Sequence, residues 1–164
     1  MNIFHDISLL NYNTFGIDVK AKALITYDSS KELADMVSKC LPDMPQPVMH
    51  VGEGSNLLFM NDFGGSILVS KIKDIEVIRE TEENVTVRVG SGWVMDDFIS
   101  YSLSRNWYGL ENLSLIPGQV GASAVQNVGA YGVEAGDRIV AVNCISLVDG
   151  SGHSFAHDEC DYSY

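Results

Sequence analysis

The segments of this sequence best suited to chemistry are rich in glycine and carry few acids, bases or nucleophiles. In Val51-Gly52-Glu53-Gly54-Ser55-Asn56, two glycines can take positive φ and let successive N–H groups converge into an anion-binding nest, with Ser55 and Asn56 adding donors. A loop of this kind suits a diphosphate. It matches neither the dinucleotide fingerprint nor the phosphate-binding loop, because Leu57-Leu58 stands where a third glycine or a lysine belongs and no helical pattern follows. The same residues read equally as a tight turn between two strands.

The second segment runs from Ile116-Pro117-Gly118-Gln119-Val120-Gly121-Ala122-Ser123-Ala124-Val125 to Gln126-Asn127-Val128-Gly129-Ala130-Tyr131-Gly132. Side chains this small give up packing area, which suits main chain that must approach something flat and bulky, such as a flavin ring. Gln126 and Asn127 place amides beside the small residues, where a ring with several hydrogen-bonding edges needs them. A helix packed closely through Gly and Ala, with Val120, Val125 and Val128 as core contacts, is the alternative, and the two readings are compatible.

Other candidates carry less. His153 and His157, with Asp158 and Cys160 nearby, would form a metal site only on a helix; Gly150 to Gly152 argues for a turn and strand, so exposed turn histidines are expected and no metal. Asp96-Asp97 and Glu82-Glu83 are adjacent in sequence, so their side chains diverge and read as solvated charges. Ser55 and Ser123 lack the strand, elbow and helix of an acyl-transfer nucleophile. Cys40, Cys144 and Cys160 fit neither a disulfide framework nor a zinc site and read as reduced structural thiols.

The elements around these segments divide at about Ile72. In a first lobe, 1–72, Asn2 to Thr14 reads as an irregular lead-in arm. Val19 to Tyr27 reads as a strand, Asp28-Ser29-Ser30 as a cap before a helix carrying Leu33, Ala34, Val37 and Cys40, and Val48 to Val51 as a strand entering the first glycine loop. Asn61 to Gly65 reads as a turn and Ser66 to Ser70 as a strand. In a second lobe, 73–164, Ile75 to Val89 predicts a β-hairpin, Val94 to Arg105 a helix, and Ile139 to Leu147 a strand before the turn Asp149-Gly150-Ser151-Gly152. Asp161-Tyr162-Ser163-Tyr164 offers no cap, tail or turn, and reads as an interrupted chain.

The 164 residues are 46% hydrophobic, enough for a packed core, and carry a net charge of -12. That charge removes the electrostatic drive for nucleic-acid binding, so a phosphate-bearing ligand must be held by local amides or a few placed cations. No stretch has the length of a membrane span and Met1 to Asp6 lacks the pattern of a secretory signal, so a cytoplasmic protein is expected.

In order and spacing, several blocks closely resemble the MurB family of UDP-N-acetylenolpyruvoylglucosamine reductases. They are Asn13-Thr14-Phe15-Gly16, Val51 to Leu58, Gly109-Leu110-Glu111-Asn112-Leu113, Ile116-Pro117-Gly118, Gln126 to Glu134 and Cys160 to Tyr164. The resemblance implies an α+β fold of the vanillyl-alcohol-oxidase (PCMH) type, in which two lobes clamp an FAD and a third, C-terminal substrate lobe is missing from this sequence. It also implies that Gly52, Glu53, Gly54, Ser55 and Asn56 hold the FAD diphosphate. Ile116, Pro117, Gly118, Gly121, Ala122, Val125, Gly129 and Ala130 would line the ribityl chain and isoalloxazine, with Tyr131 and Tyr164 bordering the substrate. The implied reaction is NADPH-driven reduction of the enolpyruvyl ether of UDP-N-acetylglucosamine to UDP-N-acetylmuramate, in peptidoglycan precursor synthesis. The family's catalytic arginine, serine and glutamate would lie beyond Tyr164, leaving this chain the cofactor site and little of the chemistry. Gln119 and Ala122 are positions where contacts could differ from relatives. The alternatives are another FAD oxidoreductase of the same fold, or a non-catalytic flavin- or nucleotide-binding module; the residues do not fix an oligomeric state.

Overall fold

A computed structural model describes residues 1–162, which divide into two compact units. One comprises Met1–Ile72 with Cys144–His153; the other comprises Lys73–Asn143 with the chain from Ser154 onward. Cys144–His153, placed above in the second lobe, fall in the unit that holds Met1–Ile72.

The first unit is a four-stranded sheet in the order β1 (Asn2–Ser8), β2 (Lys20–Tyr27), β4 (Phe63–Ser70), β3 (Val48–His50), with helix α1 (Ser30–Lys39) between β2 and β3. β1 runs antiparallel to β2, while β2 and β3 both run parallel to β4. α1 forms as its sequence predicts: Ser29 accepts from the Glu32 N–H at 3.1 Å, and Leu33, Met36 and Val37 lie buried on one face. They pack with Ile25, Tyr27 and Leu68 on one side of the sheet, while Leu9, Leu24, Val51 and Ile67 form a second cluster.

Two expectations fail in this unit. The lead-in arm is strand β1, whose residues are mostly exposed; an edge strand with no buried face shows no apolar alternation, and its backbone pairing leaves no trace in side-chain type. Gly64-Gly65 is not a turn but part of β4. A Cβ on Gly65 would sit 1.9 Å from the Pro47 carbonyl oxygen, so the glycine marks a close approach of main chain, not a reversal.

The second unit holds the hairpin β5 (Ile75–Glu80) and β6 (Val85–Val89), helix α2 (Met95–Ser104), helix α3 (Val120–Gln126) and a two-residue-per-strand hairpin, β7 (Gly129–Ala130) and β8 (Val133–Glu134). Met95, Ile99, Leu113 and Ala135 are its buried centre, with Ile116, Val120 and Val128 packed against them. A last pair, β9 (Ala141–Ile145) and β10 (Gly152–Ala156), is divided between the two units.

Candidate functional site

In the first unit, β3 leads through buried Val51, whose N–H donates to the Leu68 carbonyl at 2.9 Å, into the loop Gly52–Asn56. Gly54 is left-handed at φ +68, and a Cβ there would lie 2.0 Å from the Tyr12 carbonyl oxygen. The Asn13 side chain organises that neighbour. It is buried, donates to the carbonyls of Leu9 and Ile17 at 2.8 and 2.9 Å, and accepts from the Ile17 N–H at 3.0 Å. The Thr14 N–H then donates to the Gly54 carbonyl. The sequence blocks at Asn13 and at Gly52 are thus two halves of one brace, which no local pattern announces because they lie about forty residues apart.

One residue before Val51, the His50 ring meets Tyr27 with its Nε2 2.6 Å from the phenolic oxygen. Desolvation of the ring holds the imidazole below its ordinary value, and desolvation likewise raises the Tyr27 phenol, opposed by a hydrogen bond with Ser70. The imidazole is therefore neutral at neutral pH, and its tautomer sets which member of the pair donates.

In the second unit, the small-residue run is both a helix and a cleft wall. Its start is tied to α2: the Met95 N–H donates to the Gly118 carbonyl and the Val120 N–H to the Trp93 carbonyl, both at 2.9 Å. A Cβ on Gly121 would sit 2.6 Å from Ser91 Cβ, so this glycine serves chain packing. Beside α3 lies a small surface cleft lined by Ile116, Pro117, Gly118, Gln119, Ala122 and Ser123, with Met95, Gln126 and Val128. It gathers four of the residues named above for the flavin.

The others fall elsewhere. Val125 is 86% exposed and is neither in that lining nor a core contact. Asn127, left-handed at φ 45, closes α3, accepts from the Gly136 N–H at 2.8 Å and donates to Glu134. Its amide is thus a structural tie within the loop and not, as its position beside the small residues suggested, a group offered outward. Gly129 and Ala130 enter a turn whose central residues, Tyr131 (φ 54) and Gly132 (φ 77), are both left-handed, as a two-residue hairpin requires. Tyr131 is almost wholly exposed. Tyr164 lies outside the described residues.

Asp96 was read as a solvated charge, yet its Oδ1 accepts from Ser114 Oγ at 2.6 Å and the Leu115 N–H at 2.8 Å. Those bonds, the serine's first, hold its carboxyl below the usual carboxylate range and fix Leu115 in a left-handed conformation (φ 61) just ahead of Ile116. Eighteen residues separate the partners, so spacing could not reveal them. His153 contacts Ser151 and His157 contacts the Ile139 carbonyl, both at the surface. Among the described residues no group of three or more His, Cys, Asp or Glu side chains could hold a metal ion, and no helix is long and apolar enough to cross a membrane.

Residues 21–158 match the family described as the FAD binding domain. The chain belongs to that family. A UDP-N-acetylenolpyruvoylglucosamine reductase of Bacteroides fragilis (strain YCH46) is 52% identical over 157 residues, covering 96% of this chain and 46% of that protein. The enzyme of the same name from Porphyromonas gingivalis (strain ATCC 33277) is 44% identical across 100% of the chain and 48% of its own length. The chain thus spans about half the length of these relatives. Among solved structures, the MurB reductase of Thermus caldophilus superposes with a TM-score of 0.77 at 24% identity, covering 100% of this chain and 56% of that one. The α+β fold expected of the chain is therefore the fold of a family member.

Proposed function

We propose that this chain is the FAD-binding part of a UDP-N-acetylenolpyruvoylglucosamine reductase, acting in the cytoplasm on peptidoglycan precursors with NADPH as donor. The observation that carries the proposal is the match of residues 21–158 to the FAD binding domain family. Identity of 52% to a reductase of that name over nearly the whole chain supports the choice of reaction.

On this reading Ile116, Pro117, Gly118 and Ala122 would face the ring system, with Gly121, Val125, Gly129 and Ala130 along the same run. Gly52, Glu53, Gly54, Ser55 and Asn56 would hold the diphosphate by backbone and side-chain donors. When bound, the flavin supplies hydride transfer from NADPH to the enolpyruvyl double bond of UDP-N-acetylglucosamine enolpyruvate. The chain's own contribution is to hold and orient. Asp96 fixes the approach to Ile116, the Asn13 brace fixes the Gly54 turn, and Tyr131 borders the sugar nucleotide.

The test is substrate-dependent NADPH consumption by the protein expressed from its complete gene and loaded with FAD. Consumption that requires the enolpyruvyl sugar nucleotide, with UDP-N-acetylmuramate as product, is expected. Flavin-loaded protein that consumes no NADPH in its presence overturns the assignment.

A further inference from the structure

We infer that Tyr27 and His50 are positioning residues for the glycine loop: the phenol on β2 holds the imidazole at the end of β3, and that tie sets where Gly52–Asn56 leaves the sheet and how well it receives a diphosphate. The inference rests on the reading above that this loop holds the FAD diphosphate.

The two residues are not on neighbouring strands. β4 lies between β2 and β3, with Ser70 level with Tyr27 and Leu68 level with His50. The pair therefore bridges two strand spacings, about 10 Å of sheet. It arches over β4 to bring Nε2 within 2.6 Å of the phenolic oxygen, with the ring centroids 6.0 Å apart. The phenol is the fixed end of this tie. Tyr27 is 3% exposed, packs with Leu33, Met36 and Val37 of α1, and hydrogen-bonds through its hydroxyl with Ser70. Its carbonyl accepts from the Lys71 N–H at 2.8 Å.

The other end is weakly held without it. His50 is exposed at the sheet edge, and among the described residues Tyr27 is its one side-chain hydrogen-bond partner. β3 has three residues and pairs along one side alone, Val48, Met49 and His50 against Ser66, Ile67 and Leu68. So short an edge strand has little to resist twisting about its own axis. The Asn13 brace grips the loop in its middle, at Gly54. At its entry the Val51 N–H holds the backbone to β4, and Val48 packs with the α1 cluster. His50, two residues on, shares the face of Val48, so the Tyr27 tie adds a hold across the sheet from the α1 side. The N–H groups of such a loop bind an anion only when they converge, so a small rotation at the entry lowers affinity.

The test titrates FAD and riboflavin into the parent, Tyr27→Phe, His50→Leu and the double variant, each expressed from the complete gene. Removing either half of the tie should weaken FAD about tenfold, the double variant should be no more than about twofold weaker than either single, and riboflavin should lose less than about twofold. His50→Gln, which places an amide where Nε2 stands, should stay within about threefold of the parent for FAD. Unchanged FAD affinity in the single variants, equal losses for FAD and riboflavin, or losses that multiply in the double variant each overturn the inference, while FAD binding by the parent leaves the flavin reading standing. A parent that binds no FAD overturns both. Should Tyr27→Phe fail to fold, the two His50 variants decide: FAD affinity lost in His50→Leu and kept in His50→Gln supports the tie, and equal affinity in the two overturns it.

Discussion

At Gly54 a methyl group would strike the Tyr12 carbonyl, and the left-handed backbone adds strain of its own. Gly54→Ala should therefore lower unfolding free energy by at least about 2 kcal/mol in urea titrations without any ligand present. Loss of flavin affinity in a Gly54 variant would consequently say little about the diphosphate. Gly121→Ala meets the Ser91 Cβ instead, so Ser91→Gly should restore part of the stability that Gly121→Ala loses, and strictly additive effects would contradict the contact. Both glycines were legible in the sequence as places where main chain comes close to something. What they approach was not, because a glycine looks the same whether its neighbour is a ligand or another strand. Asn13 was legible only as part of a family block, since its three hydrogen bonds all go to backbone.

Elements were legible in proportion to how one-sided their burial is. α1 announces itself by cap and period, and Ser29→Ala should cost about 1 kcal/mol of thermal stability. β1 has no buried face and was missed. At the end of β3, His50 gives a pH dependence with a definite sign. The folded chain holds the imidazole below its ordinary value of 6.5, so folding favours the neutral form and the unfolded chain binds more protons in that range. The stabilisation is fully present above 6.5 and is lost as pH falls through the lowered folded-state value. The melting temperature should decline between about pH 7 and pH 5, and His50→Gln should flatten that part of the profile; an unchanged slope in the variant would assign the decline to other groups.

For the molecule as a whole, a ligand that binds only the folded chain stabilises it by mass action. FAD at a hundred times its dissociation constant should add about 2.7 kcal/mol to unfolding, seen as an upward shift in calorimetry that riboflavin, which lacks the diphosphate, reproduces only at higher concentration. Identical shifts at equal concentrations would remove the diphosphate loop from the site. A division near Ile72 could be read from composition, but the return of Cys144–His153 to the first unit could not, because it depends on long-range packing: a Cβ on Gly150 would lie 2.8 Å from the Ala34 carbonyl on α1, and Ile145 packs with the α1 cluster. That return has a consequence for inheritance. A gene segment ending at Ile72 encodes the sheet and α1 without the ten residues that pack on α1, so neither unit can be shuffled, duplicated or lost as one uninterrupted stretch of DNA. Recombination would be expected to keep the pair together, and insertions to survive at surface turns such as Glu82-Glu83, outside the interleaved crossings.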